Sequence, residues 1–74
     1  MLVPVGREIV LMFNEASPSL TLRVYDPSGR QVDELHVPQT GGTVSWGEGY
    51  GAGVYFIRIE GDASATTQKV ILIH

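Results

Sequence analysis

Leu20-Thr21-Leu22-Arg23-Val24-Tyr25-Asp26-Pro27-Ser28-Gly29-Arg30 decides the fold. Leu20, Leu22 and Val24 alternate with Thr21, Arg23 and Tyr25, and a period of two marks a strand with one face on a core and one in water. The next four residues put Asp at i, Pro at i+1 and Gly at i+3, the preferences of a type I turn. The proline ring supplies a φ of about −65°, and the Asp26 carboxylate can accept a bond from the backbone two residues on. A strand that ends in such a turn predicts a hairpin, with the chain returning from Arg30.

The same period recurs on both sides of this hairpin. Tyr55, Ile57 and Ile59 alternate with Phe56, Arg58 and Glu60, and no segment carries a convincing period of 3.6. Six strands are expected, at about 7–13, 19–25, 30–37, 42–46, 53–60 and 65–73, with a seventh in 1–6 or 47–52. Pro18 and Pro38 fall between strands, where a missing N–H costs nothing. Gly61-Asp62 marks a hairpin turn, and Gly41-Gly42 a bulge or bend at the start of the fourth strand. Val32 and Leu35 lie three apart, so a β-bulge at Asp33-Glu34 is expected to return both to the core. The fold class is all-β: a small Ig-like antiparallel sandwich of six or seven strands. Residues 1–6 are set apart as a leader or added segment, and 7–74 form one domain.

The inward set follows from the alternation. It comprises Ile9, Leu11 and Phe13, then Leu20, Leu22 and Val24, then Val32, Leu35, Val44 and Trp46. Tyr55, Ile57, Ile59, Val70 and Leu72 complete it. Two strands are apolar on both faces. Val10 and Met12 oppose Ile9 and Leu11, and Ile71 and Ile73 oppose Val70 and Leu72. Such a strand is either central in its sheet or covered by something else.

Composition narrows the function. The 74 residues are 43% hydrophobic and 18% charged, which excludes a disordered tail. The longest apolar run, Ile9 to Phe13, is far short of the about 20 residues a membrane helix needs. There is no cysteine, hence no disulfide and no thiolate metal site. A net charge of −3 has the wrong sign for a chain that neutralises phosphates, so no nucleic-acid partner is expected. No signal peptide is visible, and a secreted setting would make the chain part of a larger product.

Catalytic groups are scarce. His36 and His74 are far apart in sequence, and neither implies a metal. Asp33 and Glu34 are adjacent on a strand and point to opposite faces, so they read as a wet bulge and not as an acid–base pair. Asp26 and Ser28 offer oxygens to calcium, but the EF-hand spacing is absent and the turn accounts for both. No serine has a histidine and acid to activate it. Gly47, Gly49 and Ala52 match G-x-G-x-x-G/A formally. That motif needs a helix N-terminus behind it, and Val54-Tyr55-Phe56-Ile57 is a strand. No enzyme, cofactor or metal is expected. Among the aromatics, Tyr25, Trp46, Tyr50 and Tyr55 are candidates for stacking on a sugar or a partner. The period puts Trp46 in the core and leaves Tyr50 exposed in its glycine loop.

Three blocks carry a resemblance. Leu22-Arg23-Val24-Tyr25-Asp26-Pro27-Ser28-Gly29-Arg30-Gln31-Val32 resembles the L-x-V-Y-D-x-x-G-R-x-V hairpin of bacterial Ig-like C-terminal sorting domains. Gly53-Val54-Tyr55-Phe56-Ile57-Arg58-Ile59 is similar to their G-V-Y-F-x-R-L strand, and Lys69-Val70-Ile71-Leu72-Ile73 to their terminal strand. The Ig-like domain of the flagellar hook-capping protein looks like a structural relative. The resemblance implies a folded, non-catalytic signal of type IX secretion. An outer-membrane translocon recognises such a signal, and the cargo is exported and attached at the cell surface. It further implies recognition through Gly53, Tyr55, Lys69, Val70, Ile71, Leu72 and Ile73, with Asp26, Gly29 and Arg30 as the turn motif. Two other readings stay open: a structural assembly or spacer module of a surface or flagellar protein, and a carbohydrate-binding sandwich. An apolar edge strand invites pairing with another chain, so copies are expected to dimerise through the first or last strand.

Overall fold

A computed structural model describes residues 2–3, 5–13, 20–37, 42–61 and 65–73 of the chain. In chain order the strands are β1 (Leu2–Val3), β2 (Val5–Gly6), β3 (Ile9–Phe13) and β4 (Leu20–Tyr25), followed by β5 (Gln31–Val37), β6 (Gly42–Trp46), β7 (Gly53–Glu60) and β8 (Ala65–Leu72). They form two sheets, ordered β1-β3-β6 and β2-β8-β7-β4-β5. The six long strands fall where the alternation puts them. The seventh lies in 1–6, divided between the sheets: β1 pairs with β3 in one, and β2 with β8 in the other.

The pairing is antiparallel except for β2 and β8, which run parallel with Val5 beside Ile71 and Gly6 beside Leu72. A further bond, from the Ile73 N–H to the Gly6 carbonyl at 2.9 Å, extends that contact. This corrects two expectations about edges. The first long strand, β3, is the middle strand of its sheet, and the Ile71–Leu72 end of β8 is covered by β2. The connections expected at Pro18, Pro38, Gly41 and Asp62 lie outside the described residues. The strands joined through 61–64 close at the pair Glu60 and Ala65.

The core lies between the sheets. Ile9, Leu11 and Trp46 from one sheet meet Leu22, Val24, Val37, Ile57, Val70 and Leu72 from the other, all buried. Phe13, Leu20, Val32, Leu35, Val44, Tyr55 and Ile59 pack against that cluster. The inward set read from the alternation is therefore the core. Val37 adds to it because it keeps step with Leu35. In β3 the choice of face is resolved: Ile9 and Leu11 are inside, while Met12 is 40% exposed.

The bulge lies one residue earlier than the sequence suggests. Leu22 pairs with Leu35, Arg23 with Glu34 and Val24 with Asp33, but Tyr25 pairs with Gln31. Val32 is thus the extra residue. Asp33, opposite the buried Val24, is turned to the core side and is no wet bulge residue. The shift has a cause in the hairpin, whose turn fixes the pairing of Tyr25 and Gln31 before the strand can settle its alternation.

Ile57 sits at the centre of β7, fully buried, with Val24 and Gln68 as its cross-strand partners. Truncating such a side chain costs about 2–5 kcal/mol. A domain of this length has only about 4–11 kcal/mol in total. Ile57→Ala should therefore lower the urea midpoint to near or below half its value, measured by circular dichroism.

Candidate functional site

The hairpin turn is held by one carboxylate. Gly29 N–H donates to the Asp26 carbonyl at 3.0 Å, and Asp26 N–H donates to the Arg30 carbonyl at 3.0 Å. Gly29 has a φ of +88°. A type I turn followed by a left-handed residue is the usual three-residue hairpin loop, and glycine takes that conformation without a Cβ penalty. Asp26 Oδ1 accepts three bonds, from Ser28 N–H at 3.0 Å, Ser28 Oγ at 2.6 Å and Arg30 N–H at 3.0 Å. These donors, the Ser28 hydroxyl foremost, hold the Asp26 carboxyl below the usual carboxylate range. Its oxygen is committed to the turn.

The resemblance residues of β7 and β8 meet as one ladder. Gly53 pairs with Leu72, Val54 with Ile71, Tyr55 with Val70 and Phe56 with Lys69. Tyr25, the last residue before the turn, pairs with Phe56. The turn, Gly53 and the Val70–Ile73 stretch therefore share one end of the sheet. Their side chains, however, part into two sets. Val70 and Leu72 are buried, and Tyr55 packs on the core with its hydroxyl donating to the Gly51 carbonyl at 2.8 Å. Ile71 and Ile73 are 36% and 47% exposed, and Lys69 is exposed beside them. Arg30 is exposed at the turn.

An aromatic cluster closes the same end. The Trp46 ring lies 4.6 Å from Tyr50 and 4.9 Å from Tyr55, centre to centre. Trp46 Nε1 donates to Asp33 Oδ2 at 2.9 Å, and Tyr50 Oη donates to the Val32 carbonyl at 3.2 Å. The bulge thus supplies both acceptors. Burial, then the nearby Asp33 carboxylate, pushes the Tyr50 hydroxyl up from its ordinary value. Tyr50 is half-buried and not the exposed ring the glycine loop suggests. Trp46 is only 4% exposed, so it offers no open ring face to a sugar. Asp33 is the residue whose part the sequence hid. The signal available for it was the three-residue spacing of Val32 and Leu35.

The glycine loop is a turn and a close approach. Tyr50 N–H donates to the Gly47 carbonyl at 3.1 Å, and Gly49 has a φ of +85°. This is the left-handed i+2 residue of a type II turn. Gly47 is buried at a φ of +133°, and a Cβ there would lie 2.6 Å from the Leu72 side chain. An open groove of about 330 Å³ runs beside the loop, lined by Arg7, Glu48, Tyr50, Leu72 and Ile73 among others.

The outer face of the larger sheet carries ion pairs. Arg23 and Arg58 stand directly opposite each other, a repulsive placement that two carboxylates relieve. Glu60 accepts from Arg23 Nε and pairs with Arg58 Nε at 3.3 Å, while Glu34 meets Arg23 and His36, each at 3.4 Å. Among the described residues no three His, Cys, Asp or Glu side chains gather as a metal site. No helix among them is long and apolar enough to cross a membrane.

The chain is a small two-sheet β-sandwich domain in which the resemblance blocks build a hairpin turn and a strand ladder that reaches the surface. The model of the secretion system C-terminal sorting domain matches residues 3–73, and the chain belongs to that family. It is a type IX secretion sorting-signal domain; the family is not catalytic, and its members belong to exported proteins and interact with the secretion machinery. No curated protein and no solved structure matches the chain, and kinship with the hook-capping domain is not confirmed.

Two substitutions test this geometry. Gly47→Ala meets both an unfavourable φ and the Leu72 side chain, and should cost about 2–4 kcal/mol. Gly49→Ala, with open space around its Cβ, should cost only the conformational part, about 1–2 kcal/mol. Thermal melts of the two variants should differ in that order. Because the folded Asp26 carboxyl titrates low, its contribution to stability is complete above the ordinary carboxylate pKa of about 3.9 and is lost as pH falls through its folded value. Urea midpoints from pH 7 down to pH 2 should fall less steeply for Asp26→Ala than for the parent, from a lower starting stability.

Proposed function

We propose that this domain is the folded signal by which an outer-membrane translocon exports a cargo protein and delivers it to the cell surface. The observation that carries this reading is the family match over residues 3–73. The outward Lys69, Ile71 and Ile73, carried on a fixed ladder, support it. In this reading the residues that resemblance assigns to recognition have two tasks. Gly53, Tyr55, Val70 and Leu72 set the shape of the ladder, and Lys69, Ile71 and Ile73 are read by the machinery. Asp26, Gly29 and Arg30 hold the adjoining hairpin. Self-pairing of copies, where it occurs, has Ala65–Lys69 as its available edge, because no described strand pairs with that side of β8.

A reporter with its own signal peptide, fused ahead of this chain, tests the proposal in a type IX host. It should reach the cell surface or the medium in the parent strain and stay in the periplasm in a strain lacking the translocon. Removing residues 69–74 should also hold it in the periplasm. Export that does not depend on the translocon would favour the spacer reading instead.

A further inference from the structure

The strands β1 and β2 act as a strap along one side of the sandwich. β1 adds to β3 in the smaller sheet, with Leu2 beside Leu11 and Val3 beside Val10, and β2 adds to β8 in the larger one. On β8 the strap lies against one part only. Val5 pairs with Ile71 and Gly6 with Leu72, and the Ile73 N–H donates to the Gly6 carbonyl at 2.9 Å. The other side of β8 is held by β7 over the whole of Ala65–Leu72. Val5 and Val54 flank Ile71 as its direct partners and, with Phe56 two residues along β7, form an apolar corner on the outer face of the larger sheet.

The run that the strap covers is the part of β8 that most needs cover. Ala65-Thr66-Thr67-Gln68-Lys69 is largely polar and ends in a lysine, whereas Val70-Ile71-Leu72-Ile73 is apolar throughout. A free strand edge is a template for another strand, and proteins blunt such edges with bulges, charge or a covering segment. The larger sheet uses all three. The β5 edge has its bulge at Val32 with Asp33 and Glu34 beside it, the open run of β8 has Lys69, and the apolar run has β2. That cover is slight. β2 is two residues long and runs parallel, the less stable pairing per residue, and its Val5 is 50% exposed. A short ladder with little buried surface marks a segment that opens well below global unfolding.

An opened strap would leave a self-complementary edge. The Ile73 N–H points to this edge, and alternate residues of a strand point the same way, so the main-chain groups of Ile71 and Lys69 do too. Two copies of β8 meeting antiparallel about Ile71 would set Ile71 against Ile71, Val70 against Leu72 and Lys69 against Ile73. Pairing about Lys69 would set lysine against lysine, which is repulsive. Pairing about Thr67 would set Ala65 against Lys69 and Thr66 against Gln68, with no apolar pair to gain. A second copy therefore fits best on the apolar run, and the strap occupies it.

We propose that the strap is a detachable guard that keeps residues 70–73 from pairing with the same run of a second copy. With the strap in place this edge is closed to association; with it released, two larger sheets join through β8. The inference stands apart from the sorting reading.

Sedimentation equilibrium of full-length variants tests the proposal, with amide exchange and melts to follow the fold. In the parent, the Ile73 N–H should exchange about tenfold or more faster than that of the fully buried Ile57. Gly6→Pro removes an N–H from β2 and crowds the Glu8 carbonyl, which a Cβ at this position would approach to 3.0 Å. It should tighten dimerisation about tenfold or more, because closed chains no longer subtract from the population able to pair. Val5→Gly, a milder loosening, should fall between it and the parent. In the Gly6→Pro chain, Ile71→Lys should weaken the dimer about tenfold by setting like charges opposite each other. Thr67→Lys, outside the paired run, should change it less than about twofold. If Gly6→Pro and Val5→Gly both unfold the domain, the strap is part of the fold and no guard, and the proposal falls. It falls too if folded Gly6→Pro and Val5→Gly chains associate no better than the parent, or if Thr67→Lys disrupts the dimer and Ile71→Lys does not. A parent that dimerises better than Gly6→Pro would show copies exchanging their straps, and would overturn the guard as well.

Discussion

Strand β7 is paired along both sides, with β4 over Phe56–Glu60 and with β8 over its whole length from Gly53 to Glu60. Because side chains alternate strictly along a strand, fixing one inward residue fixes them all. Ile57 buried means Tyr55 and Ile59 turned toward the core and Val54, Phe56, Arg58 and Glu60 turned away. Through register the same division passes to Val24 and Leu22 on β4, and to Val70 and Leu72 on β8. A slip of one residue would put Arg58 and Glu60 into the core and Ile57 into water. The core, the ion-paired face and the apolar corner thus follow from a single alignment.

That alignment was legible in the sequence because it is local. The alternation of Leu20–Tyr25, the turn at Asp26–Gly29 and the alternation of Tyr55–Glu60 each need only neighbouring residues to be read. What was hidden depends on contacts across the fold. The bulge falls at Val32 because the turn and the β4 pairing compete for register, and neither side of that competition is visible in 31–37 alone. Asp33 reads as a surface acid until Trp46, on the other sheet, is found donating to it. Tyr50 reads as an exposed loop aromatic until the Gly47 turn folds it over Trp46. The parallel pairing of β2 with β8 joins residues far apart in the chain, and two-residue strands leave no periodicity to detect.

The candidate site shows the same boundary. Resemblance assigned Gly53, Tyr55, Lys69 and Val70–Ile73 to recognition as one group, and the three blocks do converge on one end of the sheet. Only the register separates those that build the ladder from those that reach solvent. Val70 and Leu72 are core residues like Ile57, so their identity is explained by packing without a partner. Ile71 and Ile73 are only partly explained by packing: Ile71 lies between Val5 and Val54 on the outer face, yet the two isoleucines stay 36% and 47% exposed, and β-propensity alone would be met as well by threonine, which the same strand uses at Thr66 and Thr67.

The position of β2 adds a constraint on when such a surface exists. Val5 joins Ile71 only once β2 has added to β8, whose other side is paired with β7. The Gly6 carbonyl and the Ile73 N–H complete that closure, while the Gly47 turn presses on Leu72 from the core side. The Val5 part of the apolar corner therefore rests on a non-local contact whose loop-closure entropy must be overcome before it is rewarded, whereas the Val54 and Phe56 part rests on the β7–β8 hairpin. An extended or partly folded chain carries the same residues but not the surface.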